Sequence, residues 1–121
     1  MNKDKTILIC DDSITSRRKL VQAIALKGDF TIIEAADGQK AVDLYKANRP
    51  DLVFMDIIMP VKDGIEATKE IRAFDEKAQI IILSSVGTKE NLKKALTNGA
   101  TDFIQKPWED ASIQSILAKL I

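Results

Sequence analysis

Histidine is absent from the 121 residues, which removes the commonest general base and any imidazole-based metal site. The single cysteine, Cys10, lies inside an apolar run and has no second thiol to join. No internal disulfide can form, and a reducing compartment fits best. Neither sign of charge is in excess: eighteen basic and eighteen acidic residues cancel, and the sequence pI is about 6.3. Without a basic surplus, direct binding to nucleic acid or to an anionic membrane is not expected. No apolar stretch approaches the roughly 20 residues that a membrane-spanning helix needs. After Met1-Asn2-Lys3-Asp4-Lys5, the run Ile7 to Cys10 is too short for a signal-peptide core. A cytoplasmic protein with no membrane partner is therefore expected. Repeats, low-complexity segments and linkers are also missing, so residues 1–121 read as one domain, large enough to bury about two-thirds of its unfolded surface.

Several short apolar runs end abruptly in polar residues. Leu52 to Met55 is too short for a buried helix and stops at Asp56, with Met59-Pro60 preventing continuation. Such a run reads as a strand buried on both faces, the mark of a parallel sheet covered by helices. Thr6 to Cys10 ends in the same way at Asp11-Asp12, and Ile80 to Leu83 ends at Ser84-Ser85. Phe30 to Glu34 and Asp102 to Gln105 carry more polar residues and read as edge strands; the last runs into Lys106-Pro107.

Helical patterns alternate with these strands. Ser13 is a candidate cap for a first helix with Leu20, Val21 and Ile24 inward and Gly28 as its stop. Asp37-Gly38 opens a second, with Ala41, Leu44 and Tyr45 inward, closed by Asn48-Arg49-Pro50. Asp63-Gly64-Ile65-Glu66 resembles a capping box, and Ile65, Thr68, Ile71 and Arg72 continue the period. Thr88 caps a fourth helix, with Leu92, Ala95 and Leu96 inward and Asn98-Gly99 at its end. Ile113, Ile116, Leu117 and Leu120 mark the fifth. The fold class is α/β: a five-stranded parallel sheet flanked by five helices. With strands 3 and 4 central and 2 and 5 at the edges, the order 2-1-3-4-5 satisfies the pattern.

In a parallel sheet all carboxyl ends share one rim, so this order gathers Asp11, Asp12, Asp56, Ser84 and Lys106. Two carboxylates about 5 Å apart repel by roughly 3 kcal/mol at an effective dielectric near 20. Lys106 can offset one charge. The remainder calls for a hard cation, and one or two carboxylates plus waters suit Mg²⁺ better than a caged Ca²⁺. The competing reading is a solvated acidic patch tolerated through screening; for Asp56 alone it is a strand-terminating turn residue. A carboxylate nucleophile, a Mg²⁺ platform, a hydroxyl and an ammonium are together the parts that phosphoryl transfer requires.

These residues, Asp11-Asp12, Met55-Asp56-Ile57-Ile58-Met59-Pro60 with Asp63-Gly64, Ser84, and Lys106-Pro107, resemble the receiver domain of two-component response regulators, close to the single-domain chemotaxis type. The resemblance spans essentially the whole chain. It implies a flavodoxin-like receiver fold and a Mg²⁺ cofactor. Asp56 is the implied acceptor of a phosphoryl group from a sensor histidine kinase, a phosphotransfer protein or a small phosphodonor. Asp12, Asp56 and the backbone carbonyl of Ile58 are the implied metal ligands, with Asp11 acting mainly through a metal-bound water. Ser84 and Lys106 are implied to contact the phosphoryl group, and Phe103 to turn inward with Ser84 as the aromatic switch. The Lys106-Pro107 bond is implied to be cis. Output to a downstream protein target is implied through the face formed by helix 4, strand 5 and helix 5, with self-phosphorylation and auto-dephosphorylation as the only chemistry. Ser84 stands where threonine is more frequent, Phe103 lacks the hydroxyl of a tyrosine, and Ile58 and Val86 are apolar where they flank the phosphoryl position. That last departure predicts a longer-lived aspartyl phosphate.

A dehalogenase-type phosphotransferase needs two acids spaced two apart after strand 1, and Asp11 and Asp12 are adjacent. A flavin carrier needs a phosphate loop there, which the two acids would repel. A pseudo-receiver that binds without phosphorylation is the third alternative.

Overall fold

The computed structural model describes residues 5–85 and 88–121. Five strands alternate with five helices: β1 (Thr6–Cys10), α1 (Ile14–Ala25), β2 (Thr31–Ala35), α2 (Gly38–Asn48), β3 (Leu52–Asp56), α3 (Gly64–Phe74), β4 (Ile80–Ser84), α4 (Lys89–Thr97), β5 (Asp102–Gln105) and α5 (Asp110–Leu120). The sheet is parallel throughout, in the order β2-β1-β3-β4-β5.

The continuous apolar runs follow from this layering. Leu8, Cys10, Val53, Met55, Ile80 and Ile82 face a core shared with α2 and α3, while Ile7, Ile9, Leu52, Phe54, Ile81 and Leu83 face one shared with α1 and α5. Alternate side chains on a strand point to opposite faces, so burying both faces requires every residue to be apolar. Register pairs Cys10 with Met55 and Asp56 with Leu83, which brings the ends of β1, β3 and β4 level.

Four helices open with a side-chain cap. Ser13, Asp37, Asp63 and Thr88 accept from the backbone N–H groups of Ser16, Lys40, Glu66 and Asn91 at 2.7–3.2 Å, each contributing about 1 kcal/mol. Glu109 at the start of α5 makes no such bond.

Several expectations need correction. The second strand begins at Thr31 and runs to Ala35, one residue later than the polar pattern placed it. Helix α1 ends at Ala25 with Leu26 as its cap, before Gly28. Val21, Leu44 and Leu120 do pack against the cores, as their spacing indicated, but are only partly buried. The larger correction concerns α4, where Ala95 is buried but Leu92 and Leu96 are 37% and 44% exposed. The helix lies over β5, a four-residue edge strand, and among the described residues there is no strand beyond it for a second apolar row to cover. Arg72 continues the helical period but does not simply pack inward. Its guanidinium donates to the Gly99 carbonyl at 3.0 and 2.6 Å and to that of Glu76 at 2.7 Å.

Candidate functional site

The predicted site residues lie at or just beyond the strands' carboxyl ends, except Phe103, which sits within β5. Asp11 follows β1, Asp56 closes β3, Ser84 closes β4, and Lys106 follows β5. One carboxylate oxygen from each of Asp11, Asp12 and Asp56 lies within 4.8 Å of the others. Asp11 is buried, Asp56 half-buried and Asp12 exposed, so the cluster opens to solvent on the Asp12 side.

Local geometry orients each group. Asp11 Oδ1 accepts from the Ser13 N–H at 2.9 Å, turning the chain into α1, and Arg17 donates to the Asp11 carbonyl at 2.7 Å. Asp56 Oδ1 accepts from the Ile57 N–H at 2.8 Å, which leaves Oδ2 toward the rim. Lys106 reaches in from β5, its Nζ 2.8 Å from Asp11 Oδ2 and 3.5 Å from Asp56 Oδ2. It therefore pairs chiefly with Asp11. The Lys106-Pro107 peptide bond is cis.

The electrostatics are those of a crowded acidic site. Burial pushes the Asp56 carboxyl above the ordinary carboxylate value; the Lys106 ammonium opposes this, and the Asp11 charge reinforces it. For Lys106, burial acts to lower the pKa, but the hydrogen bond to Asp11 and the charges of Asp56 and Asp11 outweigh it and raise the pKa overall. Three acids faced by one ammonium leave the cluster net negative. Such a set of hard oxygen donors, partly open to water, suits Mg²⁺, which retains several of its own waters. Asp11, Asp12 and Asp56 are the residues that could hold it.

Ser84 is buried, paired in register with Gln105. Phe103, paired with Ile82, is partly buried against the α2/α3 core. Ile58 is 63% exposed beside the acids. Val86 lies outside the described residues.

Sequence reasoning read Gly64 only as part of a helix start. Its backbone N–H donates to the Ile57 carbonyl at 2.7 Å, and a Cβ there would lie 1.8 Å from the Asp56 carbonyl oxygen. Only glycine lets α3 begin this close to Asp56. The Asp-Gly pair was the available signal, but a contact across eight residues has no periodicity to announce it. Arg17, which also bonds Glu34 at 2.8 Å, likewise left no trace.

Known proteins share both the sequence and the architecture. The family profile described as the response regulator receiver domain matches residues 7–118. The chain is 44% identical to the chemotaxis protein CheY of Halobacterium salinarum over 118 residues, 97% of each chain. It is 40% identical to CheY of Thermotoga maritima, covering 96% of this chain and 97% of that one. Among solved structures, the CheX-CheY-BeF3-Mg²⁺ complex from Borrelia burgdorferi superposes with a TM-score of 0.89 at 37% identity, covering 97% of this chain and 90% of that one. Sequence, strand order and whole-chain coverage agree, and the chain belongs to the response regulator receiver family of two-component signalling.

Proposed function

We propose that Asp56 is the phosphoacceptor of a Mg²⁺-dependent signalling switch. The observation carrying this reading is the convergence of three carboxylate oxygens within 4.8 Å, with the Lys106 ammonium reaching two of those acids. Asp56 Oδ2 attacks phosphorus as the bond to the donor's leaving group breaks, producing an aspartyl phosphate. Asp12, Asp56 and the Ile58 carbonyl would hold Mg²⁺, with Asp11 acting through a water, and the bound ion would supply charge neutralisation for the phosphoryl oxygens. Lys106 then transfers its strongest contact from Asp11 to the phosphoryl group. Ser84 donates its hydroxyl to a phosphoryl oxygen, and Phe103 moves inward with it. The solved Borrelia relative, crystallised with BeF3 and Mg²⁺, supports this assignment.

The phosphodonor is a sensor histidine kinase or phosphotransfer protein in the cytoplasm, and output goes to a protein target. Exposed Leu92 and Leu96 give the face of α4, β5 and α5 the apolar surface that such a target needs. Phosphorylation biases a pre-existing equilibrium of that face.

Intact-mass measurement after incubation with acetyl phosphate tests the proposal. One phosphoryl group is expected on the wild type only when Mg²⁺ is present, and none on Asp56→Asn. Trp108 fluorescence is expected to change with the mass. No addition under any condition would favour a binding module that keeps the fold without phosphorylation.

The apolar exposed Ile58 cannot orient an attacking water, so the phosphoryl group should be long-lived. Replacing Ile58 with Asn is expected to shorten its half-life severalfold, read as decay of the mass adduct after donor removal. An unchanged half-life would remove Ile58 from the explanation.

A further inference from the structure

A cavity of about 290 Å³ opens between α1 and the loop joining β5 to α5, adjoining the acidic cluster without containing all of it. Ser16, Lys19 and Leu20 line it from α1, Phe54 and Leu83 form its floor, and Trp108 forms a wall. Asp11, Asp56 and Lys106 stand at one end, and its described lining includes neither Asp12 nor Ser84. Its volume sits at the lower end of the range for small-molecule sites, and its walls have their composition: mostly apolar, with a few convergent polar groups.

Charge decides what fits. The two carboxylates at the inner end are already engaged by Lys106, at 2.8 and 3.5 Å. A cationic ligand would compete there with Lys106 and with the Mg²⁺ that these acids suit. Lys19, exposed and three residues after Ser16, so on the same side of α1, makes no ion pair among the described residues. The Ser16 hydroxyl likewise makes no hydrogen bond among them. One ammonium and one hydroxyl donor thus stand above an apolar floor walled by an indole, a combination that complements a flat apolar body carrying a single carboxylate. A phosphate or other compact dianion would leave the apolar surface wet.

We propose that this cavity binds small aryl or short-alkyl carboxylates, with the carboxylate at Lys19 and Ser16 and the apolar body against Leu20, Phe54, Leu83 and Trp108. An occupant abuts Lys106 and so restrains the movement that phosphoryl transfer asks of it. It slows phosphorylation of Asp56; this second half rests on the function proposed above, whereas the binding itself does not.

The test is a titration of the full chain with 3-phenylpropionate, following Trp108, the only tryptophan, by fluorescence and the backbone amides by NMR. A saturable fluorescence change is expected, with shifts centred on Leu20, Leu83 and Trp108. Loss of one exposed ion pair, through Lys19→Gln or through the neutral 3-phenylpropionamide, should weaken binding about threefold. Ser16→Leu, which fills the mouth, should abolish it. A linear response, shifts centred elsewhere, or equal binding of acid and amide would overturn the site. Saturating 3-phenylpropionate should also slow labelling by acetyl phosphate in the wild type and have no effect on labelling of Ser16→Leu. Binding with an unaltered labelling rate would refute the regulatory half. Absence of labelling without any ligand would instead count against Asp56 as acceptor, while the titration would still decide the cavity.

Discussion

Tyr45 is almost fully buried under α2, and its hydroxyl donates to Asp75 Oδ2 at 2.8 Å beyond the end of α3. Its ring meets Phe74 edge-on at 6.4 Å, and the Arg49 guanidinium lies 4.8 Å from the Phe74 centroid. Burial first, and then the Asp75 carboxylate, pushes the Tyr45 phenol up; the Tyr45 hydrogen bond in turn holds Asp75 below its ordinary value. A carboxyl whose folded pKa is depressed stabilises the protein fully above its unfolded pKa, near 3.9, and loses that contribution as pH falls through the lower folded value. Tyr45→Phe is therefore expected to cost about 1 kcal/mol near neutral pH. The difference from wild type should shrink below about pH 4, as Asp75 protonates and its acceptor strength falls. Urea unfolding at pH 7 and pH 3 checks this, and a gap that does not narrow would sever Tyr45 from Asp75. The sequence placed Tyr45 inward by periodicity. It could not show where the hydroxyl goes, because its partner lies thirty residues away. Val61 was similarly silent: an exposed β-branched residue at φ 69, with the Lys62 N–H bonding back to the Pro60 carbonyl at 2.7 Å, carries no compositional mark of its backbone.

Among the elements, strands were more legible than helix faces. A strand buried on both sides must be continuously apolar, and for β1, β3 and β4 that requirement located both the centre of the sheet and the acids at its rim. The edge strand β2, more polar, was placed one residue early for lack of the same constraint. For α4, the spacing of Leu92, Ala95 and Leu96 established a helix with an apolar side, but amphipathicity does not say what covers that side. The helix is instead held at its carboxyl end. Gly99, at φ 108, lies so close to Arg72 that a Cβ would approach its Cγ to 2.8 Å, and the Arg72 guanidinium closes on the Gly99 carbonyl. With Ala95 as its one fully buried residue, α4 has little else to restrain it. Arg72→Ala should thus speed amide exchange across Lys89–Thr97 by about fivefold, the equivalent of roughly 1 kcal/mol of lost hydrogen bonding, with β1 and β3 unaffected. Uniform acceleration throughout the chain would show a global loss of stability and no local anchor.

At the scale of the whole molecule, the fold concentrates charge where it has least means to neutralise it. Eighteen positive and eighteen negative side chains balance overall, but the rim gathers three acids around one lysine. This convergence was legible because parallel strands share a direction, so residues 11, 12, 56, 84 and 106 could be assigned to one edge from the sequence alone. The preference of Lys106 for Asp11 over Asp56 was not, since both lie within its reach and packing chooses between them. A cluster of like charges is kept at the expense of stability, and the open member, Asp12, is the one whose removal should relieve it with least loss of packing. At 4–5 Å in a solvated environment, each carboxylate pair repels by about 1 kcal/mol. Asp12 has two such neighbours, so Asp12→Asn is expected to raise the metal-free stability by about 1–2 kcal/mol. The wild type should regain that ground when Mg²⁺ is added, by about 1.4 kcal/mol at tenfold over its dissociation constant, and the variant should respond far less. Thermal unfolding of both proteins with and without Mg²⁺ separates the two effects. A variant less stable than wild type without metal would show that Asp12 is held by contacts stronger than the repulsion it suffers. Equal stabilisation of both proteins by Mg²⁺ would place the metal away from this cluster, and the acidic rim would then be a solvated surface in search of another explanation.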